Sequence, residues 1–128
     1  MPNNTHYQRI GGEPKIRELV KRFYQHMDEL PEAHRIRQMH HINLENAENK
    51  LFMFLSGWLG GPQLFVEKFG HPRLRQRHLS FAIGEVERDQ WMLCMIQAMQ
   101  DVVEDAGLRE ELKLALYKVA DFMRNQSH

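Results

Sequence analysis

The sequence has few of the features that support a disulfide-stapled, zinc-stabilised or membrane-spanning protein. Its 128 residues include one cysteine, Cys94, which excludes an internal disulfide and a cysteine-rich zinc site. The longest strongly apolar stretch, residues 51–61, is about half of the ~20 residues that a membrane span needs. Residues 1–12 are polar and lack the apolar core of a secretory signal. These absences favour a cytoplasmic protein without a membrane span.

The sequence also lacks an excess of charge of either sign. Its 17 lysines and arginines balance 17 aspartates and glutamates, so the formal net charge is zero with histidine neutral. No basic surface for a polyanion is indicated, and a nucleic-acid partner is therefore not expected. The chain length and the apolar fraction of 42% fit one globular domain, residues 1–128.

Strand-like alternation, internal repeats and low-complexity linkers are absent, whereas apolar residues recur at helical spacing along most of the chain. The sequence therefore predicts an all-α domain. Helices are expected at residues 13–28, 31–40, 45–59, 85–105 and 108–123. The inward face of the last helix is expected to comprise Leu108, Leu112, Ala115, Leu116, Val119 and Phe122.

The segment at residues 60–84 differs from the rest of the chain. It contains four glycines and two prolines and shows no long helical period. It is too long for an ordinary connection between helices. Only about two helical turns are predicted in it, at Pro72–His78. A long loop that carries a short helix is often a functional segment.

Within this segment, His78 follows a cluster of three arginines, Arg73, Arg75 and Arg77. Leu74 and His78 are four residues apart and Phe81 follows three later, so all three would face inward together, flanked by arginines. One inward histidine cannot complete a tetrahedral zinc site, and no HExxH motif is present. One axial histidine is enough for haem iron, and the haem propionates would account for nearby arginines. The alternative is an ordinary exposed histidine.

Two aromatic side chains with polar atoms lie at the edges of predicted apolar faces. At 100° per residue, Tyr24 lies about 60–80° and Trp91 about 70° from the centre of its apolar stripe. Each would border the core and direct an O–H or N–H group toward a partner. The alternative reading is an amphipathic residue at the core boundary. Cys94 lies near an apolar face and is expected to pack in the core.

The predicted segments together resemble the truncated haemoglobins, or 2-on-2 globins, and specifically their group II. No single motif is decisive, but the ordered set with its spacings is specific and extends over nearly the whole chain. The resemblance implies a truncated globin fold, a 2-on-2 helical sandwich around a non-covalent haem b. It rests on YQRIGG at 7–12, RFYQHM at 22–27, FMFLSGWLGGP at 52–62, GHPRLRQRH at 70–78 and ERDQWMLCM at 87–95.

The resemblance also implies roles for individual residues of this sequence. His78 matches the proximal iron ligand, while Tyr24 and Trp91 match distal groups that stabilise the bound ligand. Ala47 takes the position at which a full-length globin carries a distal histidine. The remaining haem-contacting positions are Leu51, Phe54 and Leu55 in the pocket wall, Lys50 and Arg77 at the propionates, and Arg75 as a weaker propionate candidate.

The sequence departs from many relatives just after the short second helix. Where these have Phe or Tyr, His40 is aligned, with His41 as the neighbouring possibility. A histidine there would add a third polar group to the distal pocket. Its protonation would make ligand binding depend on pH.

The function that the resemblance implies is reversible binding of O₂, CO and NO at a pentacoordinate or weakly hexacoordinate haem iron. NO-dioxygenase or peroxidase-like turnover, supported by an electron-donating reductase, is a further possibility. Two alternatives remain at this point. One is a non-haem globin-like helical sensor or adaptor. The other is a non-haem metalloenzyme that uses the eight histidines, for which no second ligand stands at a suitable spacing.

Overall fold

The computed structural model describes residues 5–127, and every regular element in that range is helical. The all-α prediction is therefore confirmed. A 3₁₀ turn at Pro31–Ala33 joins the second helix to the third. The α-helices are α1 (His6–Ile10), α2 (Glu13–Glu29), α3 (His34–Gln38), α4 (Glu45–Trp58), α5 (Leu64–Phe69), α6 (Leu74–Arg77), α7 (Glu85–Val102) and α8 (Ala106–Phe122).

The four long helices agree with the sequence prediction to within a few residues at each end. The junction between α7 and α8 lies earlier in the chain than expected, because α7 ends at Val102 and Asp105 is the N-cap of α8. Its side chain accepts a hydrogen bond from the Leu108 amide at 3.1 Å. Gly107 therefore lies in the first turn of α8.

The expectation that residues 60–84 contain only one short helix was wrong. A second helix, α5, precedes α6 and packs against α4. Its Phe65 is buried and lies edge-on to Phe54 of α4, with ring centroids 6.4 Å apart. Six residues are too few to show a helical period, so tertiary packing and not a sequence pattern defines α5. The short helix that the sequence predicted in this segment is α6, a single turn that ends at Arg77.

The core is organised around α2, which packs against both α4 and α7, while α7 also packs against α8. Phe23 of α2 and Met95 of α7 are fully enclosed. Cys94 is buried as expected, and burial raises the pKa of its thiol to about 11. Within residues 5–127, no helix is long and apolar enough to cross a membrane.

One prediction for α8 was wrong, because Phe122 does not face inward. Its side chain is 63% exposed. The buried residues of this helix are Leu108, Leu112, Leu116 and Ala120, which recur every four residues. This spacing drifts around the helix, and Phe122 lies about 100° from the centre of the buried face.

Candidate functional site

His78 lies where the single turn of α6 ends, and one of its ring nitrogens is already engaged. Its Nδ1 is 2.6 Å from the carbonyl oxygen of Leu74. A carbonyl can only accept, so the hydrogen is on Nδ1 and the neutral ring has a lone pair on Nε2. The ring is half-buried. This tautomer is the one that metal-ligating histidines adopt when a backbone carbonyl orients them.

A row of aromatic rings joins α7, α2 and His40, which lies two residues after the end of α3. Trp91 of α7 lies 5.1 Å from Phe23, and Phe23 lies 4.9 Å from Tyr24, between ring centroids. Tyr24 in turn lies edge-on to His40 at 5.8 Å. The fold therefore brings together the three distal residues expected from the sequence. Phe23, which connects them, was assigned to no site because it reads only as a core residue.

The Tyr24 hydroxyl is buried and only loosely engaged within the protein. Its contact with the Ala47 carbonyl oxygen is 3.5 Å long, at the outer limit of a hydrogen bond. Burial raises the pKa of the phenol well above its ordinary value, and the charge of Glu48 raises it further. Tyr24 is therefore protonated at neutral pH and has an O–H group available to a ligand.

His40, and not His41, lies against the tyrosine. The Nδ1 atom of His40 donates to the Ile36 carbonyl oxygen at 2.8 Å, whereas His41 is exposed. Burial lowers the pKa of His40, and the positive charge of Arg37 lowers it further, although the hydrogen bond to Ile36 acts in the opposite direction. At neutral pH His40 is therefore uncharged, with an accepting Nε2.

Residues of α4 supply the apolar side of the same region. Leu55 is buried, and Leu51 and Phe54 are half-buried against the core, as is Ala47. The sequence did not reveal that Phe65 of α5 extends this surface through its contact with Phe54. Phe65 follows LGGPQL in the short apolar run LFV at 64–66, which is too short to show a period.

Three cations converge on the aromatic pair formed by Phe65 and Phe69, whose rings are 4.8 Å apart. Lys50 Nζ and Lys68 Nζ lie 5.7 and 5.5 Å from the Phe69 ring, and the Arg77 guanidinium lies 5.3 Å from the Phe65 ring. None of the three forms an ion pair with a carboxylate among residues 5–127. Their charges therefore remain available to an anionic group at this edge.

Arg75 is directed elsewhere. Its Nη2 donates to the carbonyl oxygen of Arg124 at 3.3 Å, next to the end of α8. It belongs to the contacts between α6 and the C-terminal residues and does not share the aromatic pair with Lys50 and Arg77. Its assignment to a propionate stays a prediction.

Comparison with known proteins agrees with this arrangement of helices and side chains. The family model described as "Bacterial-like globin" matches residues 5–125. The chain belongs to the bacterial-like globin family. The group 2 truncated hemoglobin YjbI of Bacillus subtilis (strain 168) is 36% identical over 124 residues, which are 97% of this chain and 91% of the relative.

Comparison with solved structures shows which group of globins this bacterial-like globin resembles. The group II 2-on-2 hemoglobin of Agrobacterium tumefaciens superposes with a TM-score of 0.95 at 45% identity, over 99% of this chain and 98% of that chain. The cold-adapted truncated hemoglobin of Pseudoalteromonas haloplanktis TAC125 gives a TM-score of 0.94 at 43% identity, over 96% and 99%. The resemblance to group II and the 2-on-2 globin fold are thereby confirmed.

Membership of the globin family implies a haem cofactor, and the donor set of this globin fits one. One orientable imidazole with a free Nε2 atom, an apolar wall and cations without carboxylate partners are what a haem with two propionates requires. Two surface cavities of about 470 and 380 Å³ are lined by other residues, and neither includes His78, Tyr24 or Trp91. The candidate site is therefore identified from the chemistry of its side chains and not from a cavity.

Proposed function

We propose that this globin binds haem b, that His78 would hold its iron, and that the loaded protein reversibly binds O₂, CO and NO. The observation that carries the proposal is the hydrogen bond from His78 Nδ1 to the Leu74 carbonyl oxygen, which leaves Nε2 free and fixes the ring plane. A non-haem sensor or adaptor needs no such histidine. The iron of a bound haem would supply the coordination position at which a diatomic ligand is held.

Side chains of the protein would hold and polarise that diatomic ligand. The Tyr24 hydroxyl, which is buried, and the Trp91 indole N–H, in a half-buried side chain, would be the donors. Donors of this kind stabilise a ligand that gains negative charge and slow its release. Lys50 and Arg77 are assigned to the propionates by the family resemblance, and their place at the Phe65–Phe69 edge without a carboxylate partner among the described residues supports the assignment. Lys68 lies at the same edge and meets the same condition.

The same donors would assist NO or peroxide chemistry, because both reactions polarise an O–O or N–O bond. Turnover of either kind needs electrons, so an electron-donating reductase is part of this proposal.

Ligand binding is tested on the reduced protein by mixing it separately with O₂, CO and NO. We expect a distinct visible spectrum with each gas and full recovery of the ligand-free spectrum after the gas is removed. A reduced haem protein that binds none of the three would contradict the proposal, because a closed sixth position is incompatible with it.

The pH dependence of oxygen release is expected to come from His40. Because the pKa of His40 is lowered from 6.5, the ring is neutral at pH 7 and its Nε2 can only accept a hydrogen bond. As the pH falls below this pKa, Nε2 gains a hydrogen and becomes a donor to the ligand. Oxygen release should therefore slow on acidification by about tenfold, the effect of one added hydrogen bond worth ~1.4 kcal/mol.

Stopped-flow measurements between about pH 5 and pH 8 would check this expectation. His40→Phe should remove the acid-dependent slowing. His34→Phe, at an exposed histidine of α3, is the matched control and should keep it. The same pH dependence in the His40 variant and in wild type would exclude His40 as its source.

A further inference from the structure

The residues after α8 cross the segment that follows His78. We call Arg124, Asn125 and Gln126 the C-terminal strap. The backbone amides of Asn125 and Gln126 donate to the carbonyl oxygen of Ile83 at 2.8 and 3.1 Å. The Ile83 amide donates in return to Asn125 Oδ1 at 3.0 Å. Two chain segments more than 40 residues apart are thus joined at Ile83 by three hydrogen bonds.

The Asn125 side chain also reaches back toward the histidine. Its Nδ2 donates to the carbonyl oxygen of Phe81 at 2.7 Å and lies 3.4 Å from that of His78. One side-chain amide therefore contacts three backbone groups between residues 78 and 83. Between α6 and α7 the chain forms two turn hydrogen bonds of its own, from the Leu79 amide to the Gln76 carbonyl oxygen at 3.3 Å and from the Phe81 amide to the His78 carbonyl oxygen at 3.0 Å. Leu79 and Phe81 are exposed, so the contacts of Asn125 add to a segment that is otherwise weakly held.

The strap is itself anchored. Asp121 accepts from Arg88 of α7 at 2.8 Å and from Arg124 at 3.2 Å. The Arg88 side chain is only 10% exposed, so this ion pair is held against the body of the protein. Arg75 of α6 donates to the Arg124 carbonyl oxygen. The strap therefore connects the helices of the core to α6 on one side of His78 and to Ile83 on the other.

We propose that Asn125 is a positioning residue for His78, an inference that rests on the proposed haem binding. His78 lies at the end of a four-residue helix with φ −102°, so its ring direction depends on the backbone that follows. The amide of Asn125 fixes that backbone. It thereby preserves the contact between His78 Nδ1 and Leu74 and the direction in which Nε2 points.

Asn125→Asp separates this role from simple loss of a side chain. The aspartate keeps an acceptor for the Ile83 amide. It removes the amide donor and places a carboxylate oxygen against the carbonyl oxygens of His78 and Phe81. Asn46→Asp, at an exposed residue of α4, makes the same chemical change away from the segment.

The readouts are the iron–histidine stretching band in resonance Raman spectra of the reduced, ligand-free holoprotein and the rate of haem transfer to an excess of an apoglobin acceptor. We expect Asn125→Asp to shift or split the band and to speed haem loss about tenfold, as removal of outer-shell partners of a metal ligand does. Asn46→Asp should match wild type in both.

An unchanged band and an unchanged rate of haem loss in a folded Asn125→Asp variant would overturn this inference and leave the proposed function intact. A wild-type protein that takes up no haem would overturn both together. Circular dichroism reports whether the variant folds. If the aspartate variant does not fold, Asn125→Ser, whose single hydroxyl hydrogen can serve at most one of the two carbonyl oxygens, decides by the same two readouts.

Discussion

Replacement of His78 by alanine is expected to abolish stable haem retention. The imidazole is the candidate iron ligand. Its Nδ1 atom is bound to the Leu74 carbonyl oxygen, and its Nε2 atom has no hydrogen-bond partner among the described residues. The remaining contacts of a haem would be apolar surface and the exposed cations Lys50 and Arg77, which cannot replace a bond to iron. The ratio of haem absorbance to protein absorbance after gel filtration measures the effect.

His34→Ala is the matched control for this experiment. His34 is exposed at the start of α3, and its loss should leave haem content at the wild-type level. Circular dichroism of the His78→Ala apoprotein should retain strong helical bands, because the core around Phe23 and Met95 does not contain His78. Normal haem content in a folded His78→Ala protein would show that the ligand assignment is wrong.

Removing either distal donor is expected to speed oxygen release. Tyr24→Phe deletes the buried hydroxyl, and Trp91→Phe deletes the indole N–H, while both keep an aromatic ring beside Phe23. A hydrogen bond to a charged acceptor is worth ~1.5–3 kcal/mol, and ~1.4 kcal/mol is a tenfold change in rate. Each variant should therefore change the rate by about tenfold or more, and the pair together by roughly two to four decades.

Two conservative substitutions provide controls for the distal variants. Tyr117→Phe removes a hydroxyl from an exposed residue of α8, and Trp58→Phe changes a half-buried residue at the end of α4. Both should release oxygen at the wild-type rate in stopped-flow experiments. If Tyr24→Phe and Trp91→Phe also release oxygen at that rate, the distal hydrogen-bond network does not exist.

The long helices could be predicted because each carries its own pattern of apolar spacing. The residues of α2, from Ile16 to Met27, face one core and show the period clearly. In contrast, α5 is too short for a period and depends on its contact with α4. The exposure of Phe122 could not be predicted, because the buried face of α8 drifts with its four-residue spacing.

Only part of the candidate site could be predicted from the sequence, since its side chains come from distant segments. Ordered motifs assigned His78, Tyr24 and Trp91 to the candidate site by resemblance, whereas the preference for His40 over His41 comes from its contact with the Tyr24 ring. The role of Asn125 in the C-terminal strap could not be predicted from the sequence, because a polar residue near a chain end is common. Its contacts with residues 78–83 arise only from the fold.

The most direct test of the central claim is the visible absorption spectrum of the purified protein in its oxidised, reduced and CO-bound forms. Haem held by His78 with an accessible sixth position predicts a Soret band that shifts on reduction and shifts again when CO is added. Haemin added to the apoprotein should produce the same band. No Soret band, even after haemin is added, would contradict haem binding and make a non-haem helical sensor or adaptor the leading account of this globin.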